Sequence, residues 1–153
     1  MKKFWGDCFT QGIIAGTIGW IPQACFTTTL YALHLTKLRY LDFAAVLAFN
    51  HRPQGLLDSV LAEIVVVCFQ AALGGIFALW IKRVSSENIL LKGAFFGGFA
   101  WFTIFAVTAL YKLEGLYPID VGTALVNMIA SVIYGVATGG ALLVITRKYE
   151  KSR

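Results

Sequence analysis

The chain has 153 residues, 58% of them apolar and 14% charged, with a net charge of +5 and a mean hydropathy of +0.73. Soluble domains carry about 25% charged residues, so this chain lacks the polar surface to cover a globule in water. Its composition suits a lipid bilayer, and its positive charges sit in short clusters between apolar runs, which argues against the continuous basic face that nucleic acid requires.

A helix crosses the hydrocarbon core with about 20 apolar residues. Four stretches meet that length, and they are continuous rather than alternating, which excludes membrane strands of about 10 residues. The opening MKKFW resembles the charged region of a signal peptide. The apolar run continues past any small-residue cleavage site, so it reads as a retained first helix over 11–35. Pro22 predicts a kink there that frees a carbonyl near Ile18. YLDFAAVLAFN at 40–50 is too short to span. Its aromatic residues Tyr40, Phe43 and Phe49 point either to a segment lying in the outer interface or to an irregular loop packed on the helix ends, and HRPQG then breaks the chain. The second helix is expected over 59–81, with Asp58 and Ser59 as natural caps. VSSEN makes a tight turn to the third helix, over 89–111. LEGLYPID, with Pro118 and Asp120 suited to a helix start, leads to the fourth, over 121–146.

Nine Lys and Arg residues fall on one side of these spans: Lys2, Lys3, Lys82, Arg83, Lys92, Arg147, Lys148, Lys151 and Arg153. Four fall on the other: Lys37, Arg39, Arg52 and Lys112. The excess of basic residues on cytoplasmic loops places both termini in the cytoplasm. The expected fold class is therefore all-α, a single domain forming an integral membrane four-helix bundle of two like-oriented helical hairpins.

The hairpins resemble each other. GIIAGTIGW at 12–20 aligns with GAFFGGFAW at 93–101, so Gly12, Gly16 and Trp20 match Gly93, Gly97 and Trp101. Gly74 and Gly75 before Lys82 and Arg83 align with Gly139 and Gly140 before Arg147 and Lys148. The pattern points to an internal duplication about an axis along the membrane normal. Lipid tails are as apolar as leucine, so close backbone contact at small residues must hold such helices together. The pairs Gly12–Gly16, Gly93–Gly97 and Gly135–Gly139 put those residues on one face, all in the cytoplasmic half. Tight packing is expected there and looser packing in the outer half. Trp20 and Trp101, about 12 Å in at helical rise, are expected to fill the middle.

Glu63 is the carboxylate inside an apolar run, the usual mark of function in a bilayer. It either reaches back to headgroup water or joins a polar cavity with Asn127, Thr28, Thr108, Tyr111 and His34, at similar depths on the other helices. Such a cavity would open outward and take a cation or proton. Gln23 and Gln70, deeper, are expected to hydrogen-bond between helices. Cys8, Cys25 and Cys68 are odd in number and form no CxxC pair. Small buried thiols are expected, without disulfide, metal or cofactor.

No nucleophile–base pair, GxSxG, HExxH or phosphate loop occurs, so no enzyme activity is expected. The layout is similar to small four-helix bacterial membrane proteins. Small multidrug transporters and fluoride channels also use four short helices, but the acid such transporters carry in the first helix is missing here. The expected function is that of a non-enzymatic subunit acting through helix packing, with lipid, a second copy or another membrane protein as partner. The alternative is a small transporter or channel with Glu63 in its pathway.

Overall fold

A computed structural model of the protein describes residues 7–84 and 87–151. The basic residues Lys2, Lys3 and Arg153, the rest of the opening MKKFW and the Ser85–Ser86 centre of the VSSEN turn lie outside the described residues. Among those described the chain is all-helical. The helices are α1 (Cys8–Ala32), α2 (Tyr40–Phe49), α3 (Leu56–Val84), α4 (Ile89–Tyr111) and α5 (Val121–Lys151). Three of them, α3, α4 and α5, are long and apolar enough to cross a membrane.

Four spans were expected, and α1 is the exception. Its 25 residues are long enough, but glycines, threonines and two glutamines dilute its apolar character. Its position accounts for this. α1 packs against both α3 and α5, so Gln11, Gln23 and Thr27 are buried within the protein. It begins where Asp7 accepts hydrogen bonds from the Thr10 amide and hydroxyl, both at 3.0 Å. Those two bonds, the amide first, hold the Asp7 carboxyl below the usual carboxylate range. The helix runs unbroken through Pro22.

Glycines set the closest helix contacts. Gly12 and Gly16 lie against Gly74 and Gly75. A Cβ on Gly16 would fall 2.9 Å from the Gly74 Cα, and one on Gly12 2.8 Å from the Gly75 Cα. Gly93 and Gly97 lie against Gly135 and the Ser131 carbonyl in the same way. No larger residue fits such a crossing. Gly139 instead meets the Ile89 carbonyl, and Gly140 has only a loose contact with Leu90. Gly135 thus takes toward α4 the place that Gly74 takes toward α1. The contact register is about one turn away from the one that aligns the basic pairs Lys82–Arg83 and Arg147–Lys148.

α3 and α4 meet near one end, where Phe96 lies 5.2 Å from Phe77 and 6.4 Å from Trp80 between ring centroids. At the other end α2 fills the space. Its residues Tyr40 to Val46 are buried without interruption, against Ala62 and Val66 of α3, Ala130 of α5 and Ile104 and Phe105 of α4. The segment is thus a helix packed within the molecule. A mostly apolar helix is stable within protein or within lipid, and here Ala44 and Ala45 let neighbours approach. The end expected to be loosely packed is therefore occupied by a helix.

The thiols also differ from expectation. Cys25 and Cys68 are exposed on the outer surface, while Cys8 is half-buried, its Sγ 3.3 Å from the Ala78 carbonyl. In a lipid solvent an apolar run shows part of itself outward, so lying within the run did not decide burial.

Candidate polar pocket between α1, α2 and α3

After α1 ends, the chain turns back into the molecule before α2 begins. Asn127, six residues into α5, donates from Nδ2 to the Leu38 carbonyl at 3.1 Å and to the Thr123 carbonyl at 2.9 Å. The Lys37 amide donates to the Thr123 hydroxyl at 3.0 Å. Tyr40, the first residue of α2, reaches the Asn127 carbonyl at 3.1 Å and the Ser131 hydroxyl. These bonds set the amino end of α2 inside the molecule.

Asp42 completes that end. Its carboxylate accepts from the Arg39 backbone amide at 2.6 Å and lies 3.5 Å from the Arg39 guanidinium. The same guanidinium lies over the Tyr31 ring, 4.2 Å from its centroid. A pair this enclosed is stable only with its partners in place.

The first turn of α2 makes one wall of a pocket of about 40 Å³. Arg39, Tyr40 and Leu41 face Trp20, Gln23, Ala24, Thr27 and Thr28 of α1 and Glu63 and Val66 of α3. Trp20 Nε1 donates to Glu63 Oε1 at 2.8 Å, which places the carboxylate against α1. The expected space-filling Trp20 thus has a polar task as well. The pocket reaches the surface beside Thr28, which is exposed. Beneath it the Gln70 side-chain amide donates to Gln23 Oε1 at 2.7 Å, the interhelical bond expected of these two. Tyr134 donates to the Gln70 carbonyl at 2.7 Å, and Gly16 then packs on that same carbonyl. Two buried donors on the pocket wall, Gln23 Nε2 and Arg39 Nε, have no hydrogen-bond partner among the described residues.

The structure brings Glu63 and Thr28 together. The other candidates lie elsewhere. Asn127 is fully buried but engaged with Leu38 and Thr123, behind Tyr40. Thr108 is buried and its hydroxyl returns to the Ile104 carbonyl of its own helix. Tyr111 is 74% exposed at the end of α4, and His34 is exposed with a left-handed backbone just beyond α1. Equal depth along four helices does not bring side chains onto one wall, because each helix also has a rotation. The sequence reading missed Arg39 and Tyr40, assigned to an outer connection. Asp42, an acid in the first turn of α2, is a weak helix-start signal that points to that turn.

Comparison of the chain with protein-family models, with curated proteins and with solved structures finds no match.

Proposed function

We propose that the chain is a four-helix multi-pass membrane protein, non-enzymatic, with both termini in the cytoplasm and the α2 end facing outward. In this reading α1 is the fourth span, shielded from lipid on two sides by α3 and α5. The basic clusters Lys82–Arg83 and Arg147–Lys148 then share the cytoplasmic side. The matched crossings of Gly12 and Gly16 on Gly74, and of Gly93 and Gly97 on Gly135, support descent of the two hairpins from one duplicated unit.

We further propose that it acts as a small transporter or channel for a cation or proton, with Glu63 as the group that takes the charge. The observation that carries this is that Glu63 lines a pocket with Arg39 and Gln23 and accepts a hydrogen bond from Trp20. A carboxylate held within a bilayer and facing protein is costly and is retained where it serves a pathway. The layer of Gln23, Gln70 and Tyr134 and the glycine crossings below it would form the closed inner gate. The test is flux in proteoliposomes of protons, sodium, potassium and methylammonium. Wild-type flux that Glu63→Gln abolishes supports the proposal. No flux of any of the four, with the protein folded and inserted, removes it.

A second reading, a subunit that works by helix packing, has its own observation. Of the three apolar helices, α4 is the least enclosed, and an open apolar groove of about 490 Å³ runs along it past Phe95, Gly98, Phe99 and Trp101 to Met128 and Val132 of α5. Copurification of a stoichiometric partner from native membranes, lost on Gly98→Leu, would favour it.

A further inference from the structure

Three connections converge at the α2 end of the molecule: 33–39 before α2, 50–55 after it, and 112–120 between α4 and α5. Between them lies an open cleft of about 350 Å³. Leu38, Pro118 and Ile119 give it an apolar lining, and Lys37, Arg52 and Asp120 give it charge. Its volume falls within the range of about 300–1,000 Å³ usual for small-ligand sites. It shares no lining residue with the Glu63 pocket.

Both cations are placed by bonds that leave their charge available. The Lys37 amide donates to the Thr123 hydroxyl at 3.0 Å, which fixes the Lys37 backbone on the start of α5, while its side chain is 78% exposed. Arg52 donates from Nε to the Gly115 carbonyl, where the chain turns with a left-handed backbone. That bond anchors one edge of the guanidinium and leaves its terminal nitrogens unpaired among the described residues. Asp120 is occupied by the Thr123 amide and hydroxyl and stands 3.8 Å from Lys37 Nζ. Its single negative charge offsets one of the two cations, so one positive charge is left over.

That surplus decides the ligand class. A metal ion or an amine would be repelled, and a zwitterion would leave the surplus unmatched. A phosphodiester carries one negative charge. Its free oxygens match the fork of an arginine and the point charge of a lysine, and its ester arms suit an apolar lining. The position agrees. The cleft lies where α4 ends and α5 begins, at the limit of their apolar length, and the polar headgroup layer of a bilayer adjoins that limit.

We infer that this cleft binds a phosphodiester monoanion, its free oxygens on Arg52 and Lys37 and its ester arms against Leu38, Pro118 and Ile119. The inference goes beyond the transport proposal and does not depend on it. The same group is offered by phosphatidylglycerol and by a soluble phosphodiester, and the experiment separates the two.

The full chain, purified in a nonionic detergent, is titrated with phosphatidylglycerol, with phosphatidylcholine and with glycerophosphoglycerol, the first headgroup without acyl chains. Native mass spectrometry counts the bound molecules. Phosphatidylglycerol should bind at least about fivefold more tightly than phosphatidylcholine, the scale of one basic side chain at an anionic surface. Lys37→Gln and Arg52→Gln should each weaken it by a similar factor. Asp120→Asn keeps an acceptor for the Thr123 amide but removes the opposing charge, and should strengthen it. Lys112→Gln removes the same charge outside the cleft and should change nothing. Circular dichroism of each variant confirms that it is folded. Binding of glycerophosphoglycerol at comparable concentrations, with the same dependence on Lys37 and Arg52, supports the site with a soluble diester as its source. Binding of phosphatidylglycerol alone supports it with lipid as its source. Equal binding of the two lipids, equal weakening by Lys112→Gln and Arg52→Gln, or weakening by Asp120→Asn overturns the inference. Glu63→Gln should leave this binding intact, so loss of flux and loss of phosphodiester binding are separate outcomes.

Discussion

Gly97 and Gly98 are neighbours with opposite surroundings, and the contrast tests the packing account directly. A Cβ on Gly97 would fall on the Ser131 carbonyl oxygen and within 3.3 Å of the Gly135 amide nitrogen, while one on Gly98 meets nothing within 4 Å. Gly97→Leu should cost at least about 1–3 kcal/mol, the scale of forcing bulk into a filled site, and lower the melting temperature in detergent. Gly98→Leu should leave it unchanged. Equal melting temperatures would show that the α4–α5 crossing does not depend on close approach. The pocket residues are also settled singly. Glu63 stood out in the sequence as a carboxylate within an apolar run. Its partner Trp20 did not, since a tryptophan in a span reads first as bulk.

At the scale of the element, α2 depends on its first turn. Asp42 is 7% exposed by side chain and is the counter-charge to Arg39 as well as the acceptor for its amide. Asp42→Ala should destabilise by about 1–3 kcal/mol, as loss of a helix-start acceptor that leaves a charged partner enclosed. Hydrogen exchange should quicken through Tyr40–Phe49 and the pocket while α4 and α5 hold their protection. Uniform loss across all helices would mean that α2 is no separate unit. The start of α5 makes a pH prediction. Asp120 accepts from the Thr123 amide at 3.0 Å and its hydroxyl at 2.9 Å, and Lys37 lies 3.8 Å away. The Thr123 bonds first, and Lys37 after them, hold Asp120 below the usual carboxylate range. Its folded value is lower than its unfolded one, so its contribution is present above the unfolded value. It is lost as pH falls through the folded one. Exchange at the first turn of α5 should rise below about pH 4, and Asp120→Asn should flatten that dependence.

For the whole molecule the order of packing matters more than the number of helices. α1 stands between α3 and α5, α4 packs chiefly on α5, and α2 occupies the end where α3 and α4 part. The proposed topology follows from charge on the loops. A membrane-impermeant thiol reagent added to intact cells should label a cysteine placed in the 113–119 connection and leave one placed beside Lys148 unlabelled until the membrane is opened. Labelling in the reverse order would invert the molecule and close the outward pocket to outer ligands.

The apolar runs by themselves determined that the protein is helical and where most helices lie. Ile89–Tyr111 and the start at Val121 were readable residue for residue, since a bilayer demands continuous apolar length and the turn residues bound it. Glycine spacing likewise marked the contact faces, because only the smallest residues allow backbones to touch. What the tertiary structure alone decided was rotation and partnership. Depth along a helix is a one-dimensional property, so Asn127, Thr108, Tyr111 and His34 shared a level with Glu63 in the sequence without sharing its pocket. Equally, Tyr40–Phe49 carries no local mark of its surroundings. A helix apolar all round suits lipid or protein alike, and only the gap between α3 and α4 made it interior.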